Sequence, residues 1–501
     1  MNVHNSISDD ISLVFVDLDG TLLVSDTLFE AAFAYVRAHP LHAWKLLLWL
    51  FAGRSVLKSQ LARHAPLDIA SLPVRTDLLR HLHALKSDGA ELVLATAAHW
   101  KIAQRFAHNL DLFDDVLASS ARHNLKGKAK LAAIQAYAQG QPFAYAGDSP
   151  ADRAIWQAAA GTIFADAPAQ DIRAAEKAGK PVQSFSRSRS TARAFLKGMR
   201  LHQWAKNALV FVPLLTAHAY GDPAAVLAAI LAFLSFGLVA SGTYFSNDLL
   251  DLSADRKHPT KCKRPLAAGD LPIVSGIIGA VALPLGGFAL AIATLPPLFV
   301  ALLLGYLVLT SAYSLALKRV STADVMTLAA LFTLRLMAGA AAIAVALSFW
   351  LFAFSVFVFV SLAYLKRYVE LAQNAASAVP PPHMAEGSEE NMPMTERIGG
   401  RNYWASDAET TFSLGTANAT AAVVVLALFV NTPEVAAQYQ TPQALWMLCF
   451  LMLYWTNRLW VGARRGKIND DPVLFALKDR VSQIIGLAFA ATLVFARYVS
   501  L

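Results

Sequence analysis

Apolar positions follow two different rhythms along this chain. Up to about residue 190, short apolar runs such as "ISLVFV", "AELVLATA" and "QPFAYAG" alternate with stretches in which apolar positions recur at helical spacing. The short runs predict buried parallel strands, and the stretches between them predict the helices of a doubly wound, Rossmann-type α/β sheet. From residue 206 onward the runs are long and apolar on every face. Nine of them are long enough to cross the hydrocarbon core, near 206–221, 224–246, 272–292, 296–316, 324–346, 348–366, 411–430, 443–461 and 482–499. The pattern predicts an N-terminal α/β domain over 1–180 and a linker with an interfacial helix over 181–205. A polytopic all-α membrane domain follows over 206–501.

The polar positions between the long runs are unequally charged. Arg187, Arg189, Arg193, Lys197 and Arg200 precede the first span; Arg256, Lys257, Lys261, Lys263 and Arg264 lie between the second and third. Lys318 and Arg319 follow the fourth, and Lys366, Arg367, Arg397 and Arg401 follow the sixth. Arg464, Arg465, Lys467, Lys478 and Arg480 follow the eighth. The alternate connections, "TAHAYGDP", "TLPP", "AVALS" and "NTPEVAAQYQTPQ", contain no Lys or Arg. This asymmetry predicts an inner (plasma) membrane protein whose N-terminal domain and charged loops face the cytoplasm. The segment 191–205, "TARAFLKGMRLHQWA", mixes apolar, aromatic and basic residues as a surface-lying helix does. Residues 376–398, rich in Pro, Met and Glu, read as a loop.

Composition agrees: 56% of residues are hydrophobic and 16% charged, a membrane-protein balance. The net charge of +8 favours anionic partners, a membrane surface among them, and no nucleic acid is expected. Two cysteines, Cys262 and Cys449, imply no disulfide framework and suit a reducing compartment. The first twenty residues lack the basic and apolar regions of a cleaved signal.

Chemistry concentrates at two places. In the first, "VFVDLDGTLL" sets Asp17 and Asp19 at the carboxyl end of a strand, "LVLATAA" ends another with Thr96, "LKGKAK" supplies Lys126, Lys128 and Lys130, and "AYAGDSPAD" ends a third with Asp148 before Asp152. Strand ends are where open α/β sheets bind ligands. This set resembles the haloacid dehalogenase superfamily over residues 10–170. The resemblance implies Asp17 as nucleophile and Asp19 as general acid–base. It makes Thr96 a phosphoryl hydrogen-bond donor and Lys130 the neutralising cation, with Lys128 its competitor. Asp148 and Asp152 would hold Mg²⁺ together with Asp17. The second aspartate favours a phosphatase over a dehalogenase. A helical cap is implied over about 26–71, where "LHAWKLLLWLF" is either an amphipathic core helix or one that touches the bilayer.

The second place is "NDLLDLSADRKHPTKCKRP". Asn247, Asp248, Asp251 and Asp255 share roughly one helical face, and such clustered carboxylates near lipid call for a compensating cation. Mg²⁺ suits them because it leaves coordination positions for phosphate oxygens. Arg256, Lys261 and Arg264 are candidates for direct phosphate contacts. The motif resembles the N-D-x-x-D-x-x-x-D signature of the UbiA superfamily of membrane prenyltransferases, which implies nine transmembrane helices around a cavity. "RLHQWAKNALVFVPLL", "YSLALKRVSTADV", "LRLMAGAAA" and "LAYLKRYVEL" look like the decaprenyl-phosphate phosphoribosyltransferase branch.

That branch implies transfer of phosphoribose from phosphoribosyl diphosphate to a polyprenyl phosphate. Lys206, Asn207, Tyr313, Lys318, Lys366 and Arg367 are then candidate substrate-binding residues; Arg367 and Arg319 read equally as positive-inside anchors, a reading less favoured for Lys366. The loop after span six carries Glu370 and no second D-x-x-x-D motif, unlike aromatic prenyltransferases. Asp470, Asp471 and Asp479 form a further acidic group without an assigned role. The expectation is a Mg²⁺-dependent bifunctional enzyme whose phosphatase region removes the 5-phosphate of the lipid product, giving polyprenyl-phosphoribose for cell-envelope glycans. The alternative is an aromatic prenyltransferase of quinone or haem biosynthesis with an unrelated phosphatase activity.

Overall fold

Leu13–Val16 (β1) is buried at every position, as a strand covered on both faces must be. In the structure, a computed structural model describing residues 11–120, 123–186, 190–377, 402–404, 406–468 and 471–499, β1 is a central strand of a six-stranded sheet. The others are Glu91–His99 (β2), Asp115–Ser119 (β3), Phe143–Gly147 (β4), Gly161–Ala165 (β5) and Val182–Phe185 (β6). The order is β3-β2-β1-β4-β5-β6, with every pair parallel.

The period-two alternation divides the core between the faces. Val14, Val16, Leu92, Leu94, Ala144 and Ala146 pack on one side; Phe15, Val93, Phe143 and Tyr145 pack with Ile134 and Trp156 on the other. The strand order reverses between β1 and β4, so the crevice for a ligand opens beyond their carboxyl ends. The predicted cap consists of Thr27–Ala38 (α1), Lys45–Phe51 (α2) and Arg54–His64 (α3).

The chain forms two compact units: Met1–Met199 with Tyr244–Ala282, and Arg200–Thr243 with Leu283–Leu501. Among the described residues, seven helices are long and apolar enough to cross a membrane: Pro223–Leu250, Ile273–Thr294, Pro297–Leu315, Ala323–Ala342, Phe349–Gln373, Asp407–Val430 and Arg480–Tyr498. Ile278, Val281, Leu285, Ile292, Leu298, Leu304 and Val308 are exposed on two of them, as lipid-facing side chains are.

Nine spans were expected, and two of them are not among these seven. The stretch 206–221 holds the end of a 3₁₀ segment, Leu201–Phe211, and then a five-residue helix, Val212–Thr216, which has Pro213 in its first turn and is too short to cross. Trp446–Arg464 is helical, but Asn457, Arg458 and its tryptophans make it less apolar than the other seven. The interfacial segment 191–205 is broken at Arg200, whose φ of +52° ends Thr191–Gly198 and starts the 3₁₀ turn. Arg187, Arg189, Arg397, Arg401, Asp470 and most of the loop 376–398 lie outside the described residues.

Candidate active sites

Asp17 follows β1 directly, and Asp148 follows β4, so the strand-order reversal brings them together. The carboxylates of Asp17, Asp148 and Asp152 have oxygens within 4.8 Å of one another. Lys130 is 2% exposed, and its Nζ lies 2.9 Å from Asp17 and 3.6 Å from Asp152. Lys128 is exposed, one helical step away. Of the two lysines, Lys130 is therefore the one at the carboxylates. Thr96 is fully buried near the end of β2, where the register against β3 shifts between Thr96 and His99.

Several partners were not anticipated. Tyr145 reads in sequence as strand core, yet its hydroxyl donates to Asp152 at 2.9 Å and accepts from Lys130 at 2.9 Å. Thr27 opens α1 and donates to both oxygens of Asp19, at 2.7 Å from its N–H and 3.2 Å from its hydroxyl. Thr21 donates to Asp148 at 3.3 Å. Arg75 pins the loop by donating to the carbonyls of Thr21 and Gly20 and to Asp166. Gly20 has a φ of +79°, and a Cβ there would collide with the Asp148 carboxylate; the glycine of "DLDG" is required on both counts.

The electrostatics follow from crowding carboxylates in a buried crevice. Burial, then Asp26 and Asp17, push Asp19 up to about 8, so its carboxyl can hold a proton for a leaving group. Burial and the charges of Asp17 and Asp152 push Asp148 up to about 7. Asp17 is also raised, chiefly by burial and despite Lys130. Burial disfavours the Lys130 charge, but Asp17, Asp152 and Asp148 outweigh it and raise the lysine. Three such carboxylates around one point are a donor set suited to a divalent cation with oxygen preference. Lys58, from cap helix α3, adds a cation near Asp19 and Asp26; its Nζ donates to the Ala97 carbonyl at 2.6 Å.

The Asp-rich segment belongs to the same compact unit. Helix Pro223–Leu250 stops just before Asp251, which precedes the short helix Leu252–Lys257. Asn247 is half-buried, while Asp248 and Asp255 are buried and both meet Arg264, at 3.1 and 2.5 Å. Asp248 and Asp255 therefore share the Arg264 cation, and among the described residues they do not join a third acid, His or Cys in a group close enough to share a metal ion, as Asp17, Asp148 and Asp152 do. Arg256 does not stand free for phosphate: it is paired with the buried Glu30 of α1, at 2.5 Å, and donates to the Ala267 carbonyl. Arg37, at the far end of α1, lies 3.0 Å from Asp251. Lys261 is exposed. Helix α1 thus touches Asp19 through Thr27 at its start and the Asp-rich segment through Glu30 and Arg37.

In the other unit, Lys206 and Lys366 converge on Asp471, at 2.6 and 3.5 Å. Burial works against the Asp471 charge, but Lys366 and Lys206 overcome it and hold the carboxyl at about 2. Asp479 caps helix Arg480–Tyr498 and binds Arg458 at 2.7 and 3.0 Å. Tyr313 and Lys318 are half-buried at the end of Pro297–Leu315 and in the following turn.

Asn207, 1% exposed, accepts from Arg335 at 2.9 Å. Arg335 escaped the sequence reading; it is buried within Ala323–Ala342, donates to Tyr306 and stacks on its ring. A buried arginine in a membrane-crossing helix is itself a functional signal. Arg367 is 1% exposed, 2.5 Å from the buried Asp324, bonded to Glu370 and stacked on Tyr403. Its environment is that of a buried structural cation. Asp324→Ala, which removes the fully buried partner of Arg367 and leaves it only the part-exposed Glu370, is expected to lower stability by about 2–4 kcal/mol, read as a lower midpoint in a detergent thermal melt.

An apolar cavity of about 1100 Å³ lies in this unit, lined by Phe354, Leu426, Phe429, Leu448, Phe489 and Leu493 among others.

Two family models match this chain, and several proteins are similar to it along much of its length. Residues 208–381 match the UbiA prenyltransferase family, and residues 14–157 match the haloacid dehalogenase-like hydrolases. An uncharacterized protein, y4nM, of Sinorhizobium fredii is 37% identical over 483 residues, 96% of this chain and 90% of its own. Nodulation protein NoeC of Azorhizobium caulinodans is 34% identical over 61% of this chain and 93% of its own. Decaprenyl-phosphate phosphoribosyltransferase of Mycobacterium tuberculosis is 30% identical over 59% of this chain and 92% of its own.

Proposed function

Because the chain belongs to the UbiA prenyltransferase family, with a haloacid dehalogenase-like hydrolase region ahead of it, we propose that it is a two-step enzyme of lipid-linked sugar synthesis. In the first step a polyprenyl phosphate oxygen bonds to the anomeric carbon of phosphoribosyl diphosphate, and the bond from that carbon to diphosphate breaks. In the second, the hydrolase region removes the 5-phosphate. The relatives named decaprenyl-phosphate phosphoribosyltransferase support the first step. The observation that carries the pairing is helix α1, which contacts Asp19 at one end and the Asp-rich segment at the other.

Asp248, Asp251 and Asp255, with Asn247, would hold Mg²⁺ in the transferase, and Asp17, Asp148 and Asp152 would hold it in the phosphatase. Bound there, the ion supplies neutralisation of phosphate charge. In the phosphatase step Asp17 attacks phosphorus, the bond to the ribose 5-oxygen breaks, and Asp19 protonates that oxygen. Asp19 then takes a proton from the water that cleaves the aspartyl-phosphate. Lys130 offsets charge on the phosphoryl oxygens and holds Asp17 in line. The Lys and Arg asymmetry of the loops supports placing both sites on the cytoplasmic side of the plasma membrane.

Full-length protein in lipid nanodiscs, given phosphoribosyl diphosphate and a polyprenyl phosphate, is expected to form polyprenyl-phosphoribose, identified by mass spectrometry. Absence of that lipid, with transfer of a prenyl group from its diphosphate to a phenol, would overturn the reading. The cap lysine offers a second test. Lys58→Ala is expected to raise KM for the phosphate ester about tenfold with kcat nearly unchanged, the loss of one charged contact in binding.

A further inference from the structure

The cap carries its greasiest helix inside out. Leu46 and Trp49 of α2 turn inward onto the domain core, with Trp49 against Tyr35 at 5.1 Å and His64 at 6.0 Å. These contacts fix the helix in place. Its other large apolar side chains and those of the turn before it are exposed: Leu41 is 88% exposed, Trp44 56%, Leu47 59%, Leu48 54%, Leu50 48% and Phe51 87%. A water-facing helix shows the opposite distribution, with polar residues outward. Six large apolar side chains on one short stretch form a patch that calls for a partner.

Charge identifies that partner. Between Glu30 and Asp68 the chain has no acidic residue but carries Arg37, Lys45, Arg54, Lys58 and Arg63. Arg37 is engaged by Asp251 and Lys58 faces the crevice, which leaves the exposed Arg54 and Arg63 and the half-buried Lys45 as the cations for headgroups. Aromatic and aliphatic side chains in a stretch whose charges are all cations are the makeup of a segment that lies in the headgroup region of an anionic bilayer. The same chain has seven helices fit to cross a membrane, so a bilayer is always at hand.

We propose that α2 and the turn before it anchor the phosphatase cap in the membrane interface, with Leu41, Trp44, Leu47, Leu48, Leu50 and Phe51 among the acyl chains and the cations among the headgroup phosphates. The anchor holds whichever phosphate ester the region hydrolyses. Resting on the function proposed above, it also presents the crevice to a phosphate borne on a lipid.

The test uses the full chain, with Cys262→Ser and Cys449→Ala, carrying a single cysteine at Leu47→Cys, Phe51→Cys or, as a water-exposed control, Gln135→Cys. Each is labelled with an environment-sensitive fluorophore and reconstituted in vesicles of phosphatidylcholine and phosphatidylglycerol, with spin-labelled lipids as quenchers. Probes at 47 and 51 are expected to emit at shorter wavelength than the probe at 135. They should be quenched more by shallow than by deep spin labels, at a depth of about 5–10 Å. Emission like that of the control, without lipid quenching, overturns the proposal. A blue shift without lipid quenching overturns it too, since a protein surface then covers the patch.

Discussion

Asp17→Asn is expected to stop phosphate release while transfer of phosphoribose to lipid continues. Phosphatase turnover should fall on the order of 10⁴-fold or more, because an amide does not form the acyl phosphate on which the hydrolysis depends. The lipid fraction should then accumulate the product that retains its 5-phosphate, visible as one added phosphate in the mass spectrum. The substitution preserves shape, but it removes the carboxylate 2.9 Å from the buried Lys130, so a thermal melt must accompany the assay. Asn at 17 with phosphate release at the wild-type rate would mean that another group attacks phosphorus. The transferase rate serves as the internal control, since Asp17 is not part of the Asp-rich segment.

The reciprocal result is expected from Asp248→Ala with Asp251→Ala. These carboxylates lie at the end of Pro223–Leu250, where Arg264 bridges Asp248 to Asp255 and Arg37 meets Asp251. Removing both takes away most of the negative charge available to hold a divalent ion against diphosphate. At about 1.4 kcal/mol per tenfold, a loss of several kcal/mol corresponds to a transferase rate lower by on the order of 10³-fold. Hydrolysis of a soluble phosphate ester, measured on the same sample, should change little. Transfer at the wild-type rate would remove the Asp-rich segment from the reaction.

Some of this was legible without coordinates because it is local. An apolar run ending in an aspartate is a strand terminus wherever the sheet places it, so Asp17, Asp148 and Thr96 announce themselves. Carboxylates at helical spacing beside a long apolar run do the same for Asp248, Asp251 and Asp255. Membrane-crossing helices are legible for a similar reason: lipid accepts only a backbone that satisfies itself within one segment. The two expected spans that do not stand among the seven are those where a local feature intervenes. A proline at 213 divides the first stretch, and Asn457 and Arg458 dilute the eighth.

Pairings between distant residues carry no such local mark. Tyr145 has the pattern of core until Asp152 and Lys130 close around its hydroxyl. Arg256 has the pattern of a phosphate ligand until Glu30, 226 residues away, takes its guanidinium. Arg335 lies within an apolar run, and its partners Asn207 and Tyr306 lie on other segments. Periodicity in "LHAWKLLLWLF" permits either a core helix or a bilayer contact. The fold divides it instead, with Leu46 and Trp49 inward and Leu47, Leu48 and Phe51 outward. Element type, strand ends and spans thus follow from the order of residues, since each depends on neighbours a few positions away. Which charge meets which, and which face of a helix is covered, depend on chain closure over tens to hundreds of residues, which no short window contains.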